Sequence, residues 1–506
     1  IRGVTTTQIA GLQAADIEEF TTTQITSLTA TQVSAFTTTN INALSTTQLG
    51  AFSASQIGAL NATNLAALDA NQMAALTATQ IRGLTTTQLV NLSSTDLGEL
   101  TSTQIGALTR TQTVALTATQ ISALDATQSA GLTTTQIQGL TTAQLRGLDE
   151  TDIGDLTTTQ LSSLAAAQVG QLTATSFSAL SETQLGALST AQLAGVTTTQ
   201  LAALTTTDVA EFTTTQIAAL NATQLANISA TNIAALTTTQ VGALTATQIG
   251  LLKTTQFSAL DATQVAAISA TQLRGVTAAQ IAALDATDIS ELSATQVGLL
   301  SRTQFNALNA TQLSALDADQ AAGITTTQIT GLSQAQIRGL NETDVAELST
   351  TQLAAFSGTQ IGQLTATAFV ALDETQVGAL SVTQLKGLTT TQLSALSTTD
   401  LNEFSSTQLA SFTSTQLGSI SGLNLGALTT TQIAGFSAAQ IAGLTTTNFS
   451  ALSAEQVAAL SVTQIRAVTT GQLAALTTTD VGEFTETQIG AFSQAQLGAI
   501  SATNMT

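Results

Sequence analysis

The sequence predicts an all-α fold: an α-solenoid of short capped helices, one for each eight-residue repeat, running through residues 1–506 as a single continuous domain. Three observations carry that prediction: an uninterrupted octapeptide, apolar residues three apart within it, and a capping signature at the start of each copy. The octapeptide reads [T/S/D/N]-x-T-Q-[I/L/V]-x-[A/G]-L, as in Thr21-Thr22-Thr23-Gln24-Ile25-Thr26-Ser27-Leu28. Copies start at Thr5 and at every eighth residue up to Ser493, giving sixty-two complete repeats without an insertion or deletion. A period this regular describes one small unit that cannot bury its apolar face alone and borrows its neighbours to do so.

The apolar residues come first. Position 8 is Leu, Ile, Val or Phe in every complete repeat, and position 5 is a large aliphatic or Phe except at Thr113, Ser129 and Ala321. All fifteen Phe occupy one of these two positions, which marks them as core filler. Residues three apart share a face of a helix but point to opposite faces of a strand, so the spacing favours helix. A β-solenoid, favoured by the Thr and Ile content and the scarcity of charge, is the alternative that this spacing argues against.

One continuous helix does not fit either, because eight residues at about 100° each would wind the apolar stripe around the rod. The break is written at positions 1 and 4. Position 1 is Thr, Ser, Asp or Asn except at Gln13, Ala165 and Lys253, and position 4 is nearly always Gln. Together they form a capping box, with the position-8 and position-5 side chains on either side acting as a hydrophobic staple. Each repeat is therefore expected to be a helix of about one and a half turns, held by packing because so short a helix does not survive alone. Two antiparallel helices per 16-residue coil is the expected arrangement, with three per coil as the alternative. About thirty-one such coils at the ~8–10 Å spacing of packed helices would make a rod of roughly 250–300 Å.

A longer period lies over the short one. Asp at position 4 with an acid at position 7 occurs at Asp16/Glu19, Asp96/Glu99, Asp152/Asp155, Asp208/Glu211, Asp288/Glu291, Asp344/Glu347, Asp400/Glu403 and Asp480/Glu483, at intervals that recur every 192 residues. Arg82, Arg274 and Arg466 keep the same period, as do Arg110 with Arg302 and Arg146 with Arg338. Arg82, Arg274, Lys386 and Arg466 each precede an acidic repeat by two repeats. In a 16-residue coil these charges would lie one above the other; Arg82, Arg146, Arg274, Arg338, Lys386 and Arg466, with the acidic pairs from Asp96/Glu99 onward apart from Asp208/Glu211, are the candidate inter-coil or lateral contact. As surface pairs they would be worth about 0–1 kcal/mol each.

Composition excludes more than it suggests. There is no His, Cys, Trp, Tyr or Pro, and only two Met. Without His or Cys there is no conventional nucleophile–base pair, zinc site or disulfide, so no enzyme and no catalytic, cofactor-binding or metal site is expected. The acidic repeats could at most hold Ca2+ weakly, since no dedicated calcium loop is present. A net charge of −21 with ten scattered basic residues argues against nucleic acid, and no apolar run reaches the length of a membrane span. The chain begins inside a repeat and lacks a polar capping repeat at either end, which suggests a fragment or processed product that associates end to end or continues in a longer parent.

The register of Leu236-Thr237-Thr238-Thr239-Gln240-Val241-Gly242-Ala243-Leu244 resembles the Thr/Gln-rich tandem arrays of large secreted or surface proteins of Gram-negative bacteria, of adhesin, sheath or surface-layer type. That resemblance implies an extracellular or cell-surface structural protein forming a rod, filament, sheath or layer. The alternatives it leaves open are an adhesin stalk or a glycan- and cell-surface-binding module, with ice binding through Thr rows as a remote third.

Overall fold

A computed structural model describes residues 1–505. Among the described residues all regular structure is helical: sixty-two α-helices of four to six residues, one per octapeptide, and a closing 3-10 turn at Ala502–Met505. The β-solenoid alternative is thereby set aside. The chain divides into two compact units, Ile1–Ala259 and Leu260–Thr506, each a stack of the same coil.

The helix Ala78–Gly83 shows why each octapeptide folds as it does. Thr77 is extended (φ −72°, ψ 158°) and its hydroxyl accepts the Gln80 N–H, while Gln80 Oε1 accepts the Thr77 N–H at 2.7 Å. That is the expected capping box, and it satisfies two donors that a short helix leaves orphaned. Ile81 N–H closes the turn on Thr77 O at 2.9 Å, and Leu84 N–H ends it on Ile81 O at 3.2 Å. Leu84 is extended again (φ −63°, ψ 136°), so the corner consists of two consecutive extended residues at positions 8 and 1. No described residue has a positive φ, which is why the corners need neither glycine nor proline.

The coil holds three helices, not two. Each helix packs on the one three repeats away: Ala54–Ile57 against Ala78–Gly83, and Ala78–Gly83 against Ser102–Ala107. The 16-residue coil is thus corrected to 24 residues. An extended two-residue corner does not reverse the chain, and three such bends bring it back over its start. Ring contacts show the result, because Phe404 touches Phe412 eight residues on (centroids 5.5 Å apart) and Phe36 touches Phe52 sixteen residues on (6.3 Å). Position-8 side chains from all three helices of a coil therefore meet in its centre. Position-5 side chains sit beside them, with Ile81 wholly buried and Leu84 4% exposed.

What joins one coil to the next is the other half of the position-4 amide. Gln80 Nε2 donates to Leu49 O and Phe52 O, both at 2.8 Å, at the corner that precedes the helix beneath it. The Phe52 carbonyl belongs to a helix end, where such groups lack an intrahelical partner. The same pair of bonds, to the carbonyls 31 and 28 residues back, recurs at Gln112, Gln136, Gln192 and Gln384. One buried side chain thus caps its own helix and closes the corner below.

Small residues set the closeness of the stack. A Cβ on Gly131 would fall 2.5 Å from Ser102 O, and one on Gly106 would fall 2.7 Å from Gly131 O, so these two glycines permit backbone contact between the helices Ser102–Ala107 and Ala126–Gly131.

Replacing Gln80 with Met keeps the length of the side chain but strands the Thr77 N–H and the Phe52 carbonyl, and leaves the Leu49 carbonyl with the Phe52 N–H alone. Hydrogen exchange of the amides around Leu49–Phe52 and Thr77–Leu84 is expected to accelerate by roughly 30- to 1,000-fold, the equivalent of about 2–4 kcal/mol in local opening. Unchanged protection would show that the amide does not hold the coils together.

Candidate functional site

Substitutions at position 4 mark where the stack departs from its rule, and the departures are graded by chemistry. Asn232, one methylene shorter than Gln, reaches Leu204 O at 2.7 Å but makes no reciprocal bond to its cap. Ser176 keeps one bond to the coil below, to Leu148 O at 2.8 Å. Aspartate has no N–H to give. Asp152 Oδ2 accepts the Asp149 N–H at 2.8 Å, and Asp96 accepts the Ser93 N–H at 2.8 Å, so the cap survives while the downward donation is lost.

The coil beneath answers by donating upward. Ser122 Oγ donates to Asp152 Oδ2 at 2.6 Å, Ser450 Oγ to Asp480 Oδ2 at 2.6 Å and Ser314 Oγ to Asp344 Oδ1 at 3.2 Å; Ser178 donates in the same way to Asp208. These serines occupy position 6, thirty residues before the aspartate. Only nine repeats carry Ser at position 6, and five of those stand thirty residues ahead of a position-4 Asp, so the pairing is a property of the sequence and not of chance. Reading the sequence against a 16-residue coil hid these serines, whereas a search at thirty residues finds them.

The position-7 glutamates meet the opposite situation. Burial pushes the Glu99 carboxyl above its usual value of 4.5, and Asp96 and Asp69 add repulsion. Glu211, Glu291, Glu347, Glu403 and Glu483 are raised for the same first reason, each with the Asp of its own helix as the next contributor. A third acid comes from the coil beneath. Asp69, Asp125, Glu182, Asp261, Asp317, Asp373 and Glu455 all lie at positions 1–3 of the repeat three before an acidic one. Carboxylates are thus gathered coil upon coil. Beside Asp344 and Glu347, the small Ala321 leaves an apolar cavity of about 30 Å3 walled by Phe305, Ile329 and Phe356. That is room for about one water.

Arg82, Arg274, Lys386 and Arg466 stand on other helices of the coil than the acids they precede. Arg82 stands on the helix Ala78–Gly83, which packs on Ser102–Ala107, whereas Asp96 belongs to Ser94–Gly98, whose C-cap is Glu99 and which packs on Ala118–Ser122. The same offset separates Arg274 from Asp288 and Glu291, Lys386 from Asp400 and Glu403, and Arg466 from Asp480 and Glu483.

Asp155 is the last residue of the helix Glu150–Asp155, half-buried, and that helix packs on Ala126–Gly131 below and Ala174–Ser178 above. Arg146 lies on Thr142–Gly147, which packs on Ala118–Ser122, so Arg146 and Asp155 occupy neighbouring helices of one coil and do not stack. Arg338 stands to Asp344 and Glu347 as Arg146 does to Asp152 and Asp155, one repeat ahead. With three helices per coil the basis for stacking a basic residue over an acid is gone. Arg82 Nε donates instead to Ala107 O at 3.4 Å, and Arg338 Nε to Gln363 Oε1 at 3.1 Å. No group of three or more His, Cys, Asp or Glu among the described residues is arranged to hold a metal ion. No described helix is long and apolar enough to cross a membrane.

Three stretches, residues 9–46, 209–246 and 424–454, match the ALTTAQ repeat family. The chain contains a tandem-repeat region similar to that family. Its six letters correspond here to positions 7, 8, 1, 2, 3 and 4, as in Ala427-Leu428-Thr429-Thr430-Thr431-Gln432, which span one corner and the capping box that follows. No curated protein matches the chain.

Asp152→Gln returns the repeat to the consensus and supplies donors for Ile121 O and Leu124 O. Exchange of the amides at that corner is expected to slow by about 5- to 30-fold, corresponding to 1–2 kcal/mol from the added bonds. Faster exchange would show that the Ser122–Asp152 bond is the stronger joint.

Proposed function

We propose that the chain is the repeat region of an extracellular structural protein, whose coils build an elongated rod, filament, sheath or surface layer by stacking on further coils. The observation that carries this reading is the position-4 amide lattice. Nearly every repeat contributes one buried polar side chain, and those side chains serve only to cap a helix and join a coil. Gln8 and Gln24, in the first coil, use the Oε1 half of the amide to accept their cap N–H at 2.9 and 2.8 Å.

The composition supports a mechanical role over a chemical one, since the exposed surface is dominated by Thr, Ser, Ala and Gly with a net charge of −21. That charge keeps large assemblies soluble and spaces them apart. Electron microscopy of the purified chain across a concentration series is expected to show elongated particles that lengthen by end-to-end joining. Compact, monodisperse particles at every concentration would contradict the proposal.

A further inference from the structure

We propose that the joints at Glu99, Glu211 and Glu291 are proton-operated: taking up one proton at each glutamate tightens the coil on the one beneath it. Three features of geometry lead there. Oε2 of each of these glutamates is buried and has no hydrogen-bond partner. Each faces only acids. For Glu99 these are Asp96 on its own helix and Asp69 from the coil below; for Glu211, Asp208 and Glu182; for Glu291, Asp288, Asp285 and Asp261. The helices packed on the other side, Ala118–Ser122, Ala230–Ala234 and Ala310–Leu313, carry no titratable or charged residue, and neither do the helices before and after in the same coil.

A buried carboxylate oxygen without a donor is costly, and like charges beside it add to the cost. One proton on Oε2 removes the charge and turns an idle acceptor into an O–H that can donate to the neighbouring Asp. Burial and the flanking acids raise these glutamates above 4.5, so the folded chain holds the proton more tightly than the unfolded one. The stabilisation is then complete below the ordinary carboxylate value and is lost as pH rises through the folded value. Asp261 moves the other way, lowered by its bonds to Thr263 and Gln264 from a usual value of 3.8, so its own loss of stability falls below that window.

Hydrogen exchange of the full chain, corrected for the intrinsic pH dependence of exchange, tests this at pH 4, below the ordinary glutamate value, and at pH 7.5. Protection of residues 97–100, 209–212 and 289–292 is expected to be higher at pH 4, while the acid-free corners at residues 49–52 and 137–140 stay level. In the triple variant Glu99→Gln, Glu211→Gln, Glu291→Gln the acidic corners should hold their pH 4 protection at both values. Gln already occupies position 7 at Gln171 and Gln363, so the variant suits the repeat. Equal wild-type protection at the two pH values overturns the proposal, as does a triple variant that keeps the wild-type pH response. If the variant does not fold, the comparison of acidic and acid-free corners within the wild-type chain decides the matter alone.

Discussion

The fold depends on one side-chain amide used twice. In most consensus repeats the glutamine Oε1 accepts the N–H of its own helix cap, and Nε2 donates to two carbonyls of the coil below, as at Gln80. The first bond ends the corner and begins the helix; the second holds the stack. Neither helices of four to six residues nor a core of Leu and Ile would fix this geometry alone, because helices so short are marginal and apolar contact is non-directional. The amide lattice supplies direction. It also explains why a polar residue is kept buried in a chain that is otherwise economical with buried polar groups: Gln80 is 2% exposed and Gln136 1%.

From this constraint the lesser features follow. Asn232 reaches the coil below but not its own cap, Ser176 holds a single bond to the coil below, and Asp152, Asp208, Asp344 and Asp480 are served from below by Ser122, Ser178, Ser314 and Ser450. The corners need no left-handed residue, so glycine is free to act elsewhere and does so where backbones touch, as at Gly106 and Gly131. The long period also changes meaning. A span of 192 residues is eight coils of 24, so within each compact unit successive acidic repeats, seven or ten repeats apart, fall on a different side of the coil. The acids are distributed around the stack and do not form one stripe.

Much of this was legible in the sequence. The capping box at Thr77 and Gln80, the apolar pair Ile81 and Leu84, and the place of every Phe follow from spacing and the chemistry of orphaned helix ends. The number of helices per coil did not follow, because an eight-residue period is compatible with two or three and the bend angle of two extended residues carries no sequence mark. That single uncertainty had consequences. It placed Arg82 above Asp96, when three-helix geometry puts the two on different helices of the coil. It also hid the thirty-residue link from Ser122 to Asp152. The second role of Gln was invisible too, since a capping box accounts for the residue before Nε2 is considered.

The most direct measurement of the account is a pair of distances across the stack. The chain has no cysteine, so spin labels can be placed at will on exposed position-3 threonines. Labels at Thr79→Cys and Thr103→Cys, 24 residues apart, should lie one coil apart on the same side and give the shorter distance. Labels at Thr79→Cys and Thr95→Cys, 16 residues apart, should lie on different sides and give the longer one. The reverse order would mean that the coil closes after two helices, and the lattice of 28- and 31-residue bonds would fall with it.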